Sequence, residues 1–291
     1  MAEDTDSFSS GASDVEEEER EEEEKLEKKR GEKKQGNIEK DEKEEKEQKK
    51  ERKNKEAPLK GAGFTLILVD LQLELVNQLR KHFKGLPDVK FQHCRFEQLP
   101  KFDCMVSAAN SFGLMDGGVD AAITAFFGDQ LQQRVQQHII DHFDGEQPVG
   151  TSFILPTNHP RHPWLAHTPT MRVPMSIQGT DHVYLAMKAM LRAIKDHNQA
   201  HPDNAIRSVA CTGLGTFYGM MALDEAARQM ALAYRNFLSP PKRITWGYAS
   251  TRQADVGYGG FQGFQRALEQ MQSEAEAKAR ESRRKVASEM V

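Results

Sequence analysis

Apolar positions along this chain form short solid runs that alternate with stretches of helical spacing. Residues 64–69 (Phe-Thr-Leu-Ile-Leu-Val) read as a strand buried on both faces and ending at Asp70. Leu71, Leu75, Val76, Leu79 and Phe83 then recur at helical spacing until Gly85-Leu86-Pro87 stops the helix. Residues 89–94 and 102–106 predict a second and a third strand. Helical spacing resumes at Val119, Ala122, Ile123 and Phe126, and the pattern predicts a helix continuing through 127–143. A turn at 148–150 leads into a strand ending at Leu155, and the prolines of 158–163 mark a loop. A strand over 165–174 follows, then a helix over 178–199 burying Val183, Ala186, Met187, Met190, Leu191 and Ile194. Residues 206–211 predict a strand, 221–238 a helix, and 244–249 a last strand. Gly257-Tyr258-Gly259-Gly260-Phe261 reads as a hinge into a helix from Gln262 that becomes strongly charged by Arg280. Strands alternating with helices predict a layered α/β domain.

Charge divides the chain of 291 residues. Residues 1–60 hold 16 Lys/Arg and 22 Asp/Glu, a net of −6 within a total of −4, so the rest is about +2. Between Glu16 and Glu56 the large apolar residues are Leu26 and Ile38 alone, too few to offset the entropy of ordering. The Glu/Lys spacing is compatible with a solvated single helix, but composition favours disorder. Lys28-Lys29-Arg30 with Lys33-Lys34 fits a nuclear import signal, although chance clustering in so lysine-rich a tail is the simpler reading. The expected organisation is a charged tail over 1–60, a folded domain over 61–255 and a C-terminal helix with a charged tail over 256–291. The near-neutral folded part lacks the basic footprint of direct nucleic-acid binding. Cys94, Cys104 and Cys211 have no disulfide or metal spacing, which points to a reducing compartment. No apolar signal core or membrane-length run is present, so the expectation is a soluble intracellular protein, cytoplasmic or nuclear.

Two stretches carry the candidate chemistry. In the first, an apolar run at 104–106 gives way to small residues and Asn110, then to Gly113, Gly117 and Gly118, then to a helix start. Such a strand, glycine loop and helix presents free backbone N–H groups, at the positive end of a helix dipole, to an anion. The second stretch repeats the plan: a strand ending at Cys211, then Thr212-Gly213-Leu214-Gly215-Thr216-Phe217-Tyr218-Gly219, then a helix. No Lys or Arg falls within 104–133 or 208–227, so a bound phosphate would be held mainly by main chain. The lysine of a Walker-type loop is missing, which argues against an ATPase or GTPase. Asp70-Leu71-Gln72 stands where a dinucleotide-binding dehydrogenase would carry its Gly-x-Gly-x-x-Gly.

Ser107-Ala108-Ala109-Asn110 followed by Asp116-Gly117-Gly118-Val119-Asp120-Ala121-Ala122-Ile123 resembles the first ligand loop of the macro domain family, the ADP-ribose-binding, Appr-1''-p processing type. That family reads Asn-Ala-Ala-Asn, a spacer, then Gly-Gly-Gly-Val-Asp. Pro169-Thr170-Met171-Arg172-Val173-Pro174 is similar to the branch found in bacteria, phages and some eukaryotes. The resemblance spans roughly residues 64–249 and implies a three-layer α/β/α fold with a central mixed sheet. It also implies an ADP-ribose or ADP-ribosylated partner, without a cofactor or metal, and an activity hydrolysing mono-ADP-ribose linkages or related derivatives. The alternative is a non-catalytic ADP-ribose reader. By matched position Asn110 would bond a distal ribose hydroxyl, and Asp120 would position or deprotonate the attacking water. Ala109, Asp116, Gly117, Gly118 and Val119 would hold one phosphate. Gly213, Leu214, Gly215, Thr216, Phe217, Tyr218 and Gly219 would wrap the other, with Tyr218 closing over the ribose. The chain departs from the family at three places. Ser107 replaces the first Asn, Thr216-Phe217 stands where a glycine is common, and no acid falls at Cys94-Arg95-Phe96 to take the adenine amino group, for which Asp70 is the substitute.

Bland readings compete with several of these assignments. Asp120 fits a plain helix-start carboxylate, and the glycines fit tight turns. Arg172 suits either a phosphate or loop carbonyls. His138 and His142, four apart on a helix without a third ligand, read as solvent-facing. Trp246 and Tyr248 read as packing against the sheet in preference to stacking on a base.

Overall fold

In a computed structural model the described residues are 59–260, 263 and 273. The expected tail over 1–60 and the helix from Gln262 fall almost wholly outside them. A six-stranded sheet runs in the order β2-β1-β6-β3-β5-β4. Its strands are β1 (Thr65–Asp70), β2 (Val89–His93), β3 (Cys104–Asn110), β4 (Phe153–Pro156), β5 (Trp164–Met171) and β6 (Ser208–Cys211). All neighbours pair in parallel except β4, which runs antiparallel to β5 at one edge. The sheet is thus mixed, as the resemblance implies.

Helices cover both faces. On one lie α1 (Leu73–His82), α4 (His182–Ala200) and α5 (Leu223–Leu238); on the other lie α2 (Gly118–Phe127) and α3 (Gln130–Phe143). The two-residue period of β1 sorts its side chains between them. Leu66 and Leu68 pack with Leu75, Leu79 and Met187 in one core. Val69 packs in the other with Ile123, Leu131, Val135 and Ile139. Each such fully buried aliphatic side chain contributes on the order of 1.5–3 kcal/mol of transfer free energy. This double burial is why β1 reads as an unbroken apolar run.

The structure corrects the sequence reading in four places. The helix expected to run on through 127–143 breaks at Gly128, whose φ of 92° ends α2 before α3 begins at Gln130. The third strand does not begin at Phe102 but covers Cys104–Asn110, so the small residues continue the ladder beside β5. The expected strand over 244–249 is part of a helix, α6 (Trp246–Val256). Thr245 caps it, accepting a hydrogen bond from the Tyr248 N–H at 3.1 Å, and that local bond outweighs a short apolar run with no strand edge beside it. Trp246 does not pack against the sheet but is 90% exposed, and Tyr248 receives a hydrogen bond from Arg252. Finally, His138 is half-buried, its ring 4.0 Å from that of Phe153 and 4.2 Å from that of His142.

Candidate functional site

The carboxyl ends of β1, β6 and β3 lie side by side, and the loops leaving them enclose a cleft of about 550 Å³. Crevices at this edge of a parallel sheet are the usual ligand position in α/β folds. Ala109, Asn110, Asp116, Gly117, Gly118, Val119 and Asp120 line it from the first loop. Gly213, Gly215, Thr216, Phe217, Tyr218 and Gly219 line it from the second. Leu214 does not, because its side chain is fully buried in the core beneath the second loop.

Gly117 is the N-cap of α2 and no side chain caps that helix. The first donor used inside the helix is Ala121 N–H, to the Gly117 carbonyl at 3.2 Å. The N–H groups of Gly118, Val119 and Asp120 therefore lack intrahelical partners at a positive dipole end. Gly118 has a φ of 57°, a left-handed conformation that glycine adopts without strain. Tyr218 lies across this turn: a Cβ placed on Gly117 would come 2.9 Å from its hydroxyl. The two loops thus meet at the Gly117–Tyr218 contact, with Phe217 67% and Tyr218 48% exposed at the cleft mouth.

Asp120 is 5% exposed, and Ser107 Oγ donates to its Oδ1 at 2.7 Å. Burial pushes its pKa up to about 7; the Ser107 hydrogen bond opposes the rise and the nearby Asp116 charge adds to it. A carboxyl poised there changes protonation near neutrality, which suits proton transfer. Asn110 is differently employed. Its Nδ2 donates to the Leu114 carbonyl at 2.7 Å, and its Oδ1 accepts from the N–H groups of Phe112 (3.1 Å) and Leu114 (3.3 Å). The carboxamide staples its own loop.

Other assignments change as well. Asp70 lines the cleft, and each of its carboxyl oxygens also serves the fold, one accepting from Gln72 N–H at 2.9 Å and the other from Gly213 N–H at 3.2 Å, which leaves a further lone pair on each. Arg172 meets neither a phosphate site nor loop carbonyls; it pairs with Glu146 at 2.6 Å, exposed, and does not line the cleft. Arg95 does line it and pairs with Glu97 at 3.0 Å. Among the described residues Arg95 is the one Lys or Arg that lines the cleft, and the two glycine loops contribute none.

Residues 106–230 match the family model described as Macro domain. These residues belong to the macro domain family. The macro domain is similar to an uncharacterized protein of Aquifex aeolicus (strain VF5), 27% identical over 135 residues, 46% of this chain and 74% of that one. Among solved structures it is similar to the macrodomain of Mycobacterium tuberculosis DarG, at 16% identity and a TM-score of 0.40 over 47% of this chain and 84% of that one. It is likewise similar to an Oceanobacillus iheyensis macrodomain with ADP, at 22% identity and a TM-score of 0.40 over 47% of this chain and 70% of that one.

Sequence reasoning missed two features of this macro domain. Glu97 lines the cleft two residues beyond the position where no acid was found. Ser107, noted as a departure, is the partner of Asp120. A polar residue in an otherwise apolar strand was the available signal, since a fully buried hydroxyl needs a hydrogen-bond partner.

Proposed function

We propose that this macro domain binds ADP-ribose between its two glycine loops and hydrolyses the bond joining the distal ribose to a mono-ADP-ribosylated partner. The observation that carries the reading is the placement of a buried carboxyl with a pKa near 7, Asp120, in the same first helical turn as the uncapped N–H groups of Gly118 and Val119. A diphosphate accepts hydrogen bonds from those N–H groups and from the second loop, which fixes the ribose against Asp120. Asp120 takes a proton from water, the water oxygen bonds to the anomeric carbon, and the bond from that carbon to the leaving oxygen breaks. A carboxylate leaving group departs as an anion and needs no separate acid, so an ester-type linkage suits a site with one buried carboxyl.

The test is release of ADP-ribose by the full chain from a protein carrying carboxylate-linked mono-ADP-ribose. Release is expected to rise with pH through about 7 as Asp120 ionises. Asp120→Ala is expected to lower turnover by roughly 10²- to 10⁴-fold. Equal turnover in the two proteins would remove Asp120 from the mechanism. A second reading, a non-catalytic reader, draws support from Asn110, whose Oδ1 and one of whose two Nδ2 hydrogens bond its own loop. A reader binds ADP-ribose and releases nothing at any pH.

A further inference from the structure

Ser107 and Asp120 are both buried, thirteen residues apart, and joined by a single hydrogen bond across the sheet–helix layer. Ser107 lies on β3, on the strand face that also carries Met105 toward α2 and α3. A strand in the middle of a sheet is among the stiffest parts of a fold, so a hydroxyl mounted on it is a fixed reference for a side chain on a loop-borne helix. The two carboxyl oxygens are thereby made different. Oδ1 accepts from Ser107. Oδ2 has no hydrogen-bond partner among the described residues, yet it is not one of their buried, unpartnered polar atoms, which are Gln78 Oε1, Arg134 Nε and His167 Nε2. Oδ2 is therefore the oxygen that opens onto the cleft Asp120 lines.

We infer that Ser107 is a positioning residue: by holding Oδ1 it turns Oδ2 toward the cleft as the atom that receives a proton from water. This inference rests on the hydrolase reading for its chemistry, but the orientation it describes does not. The bond also favours the ionised carboxyl, because a hydroxyl donates to carboxylate oxygen more strongly than to a neutral acid. Two titratable groups flank the pair. Asp116, on the loop before α2, raises the proton affinity of Asp120. His167, opposite Ser107 in the β3–β5 register, stays uncharged because burial pushes its pKa down to about 3. Among the described residues Ser107 is the group that opposes burial.

The test is a carbon-detected titration of aspartate carboxyls in the full chain, with the Asp120 signal assigned by its loss in Asp120→Asn. The wild-type midpoint is expected near 7. In Ser107→Ala it is expected to rise by on the order of one pH unit, and in Ser107→Thr to return toward wild type. Ser107→Cys, nearly isosteric and a weak donor, gives the same rise if the alanine variant does not fold. In the hydrolysis assay the acid limb moves with the midpoint, lowering kcat at pH 7 more than at pH 9 while KM holds. An unmoved midpoint in both Ser107→Ala and Ser107→Cys overturns the inference. A moved midpoint in a protein that releases no ADP-ribose keeps the positioning role and defeats the hydrolase reading alone.

Discussion

The two glycine loops look alike in sequence and are braced in different proportions by side chain and main chain. The first is braced by polar side chains: Asn110 staples residues 112–114, Gln132 accepts from Met115 N–H at 2.8 Å, and Thr124 donates to the Met115 carbonyl at 3.0 Å. The second is braced at Gly213 by the side chains of Asp70 and Thr216, and from Gly215 onward by main chain and close packing. Met221 N–H donates to the Gly215 carbonyl at 3.1 Å and Ile177 N–H to the Gly219 carbonyl at 2.9 Å, with Ile177 packed against Gly215. The first loop hides a carboxyl; the second exposes Phe217, Tyr218 and Met220. Side-chain bracing can hold a charged group at a set angle, whereas glycine packing holds a ribbon whose outer side chains stay free to close on a ligand. The proposed function divides along the same line, with chemistry on the first loop and closure on the second.

That contrast is breakable by substitution. The largest effect belongs to the buried carboxyl. Asp120 titrates near 3.8 when unfolded and near 7 when folded, so the native state holds the extra proton between those values, and stability falls as pH rises through that window. Asp120→Asn removes the charge and keeps an acceptor for Ser107. It should exceed wild type at pH 8 by on the order of a few kcal/mol and match it near pH 4, measured by urea unfolding. A constant difference across pH would mean that Asp120 is not the buried charge of the first loop. Next comes the second loop's packing: a methyl at Gly219 would meet the Gly215 carbonyl oxygen, which is backbone and cannot turn aside. Gly219→Ala should cost about 1–3 kcal/mol of stability. Gly117→Ala is the smallest change, because its methyl meets the tip of Tyr218, a side chain with room to swing into solvent. It should cost about 0.5 kcal/mol or less in stability and act instead on ligand affinity. Equal costs at Gly117 and Gly219 would erase the distinction between the loops.

Both loops were legible because glycine, small residues and a helix start occur in a fixed order, and because solid apolar runs announce doubly buried strands. The strand misread at 244–249 shows the limit: six residues with Ile, Trp and Tyr fit either state, and one threonine hydroxyl decided for helix. The run-on helix at Gly128 was readable, since a glycine between two periodic segments marks a boundary. The roles of Asn110 and Leu214 were not legible, for they depend on which way a side chain turns after the strands have paired. Asn110 has the residue type that a ribose contact needs, and it turns into its own loop.

In the proposed function a diphosphate is gripped between the two loops by backbone groups. Calorimetric titration of the full chain with ADP-ribose, with AMP and NAD as controls, tests it most directly. The expected result is ADP-ribose binding at least about tenfold tighter than AMP, a difference of about 1.4 kcal/mol. Equal affinity for AMP and ADP-ribose, or no heat with either, would contradict it.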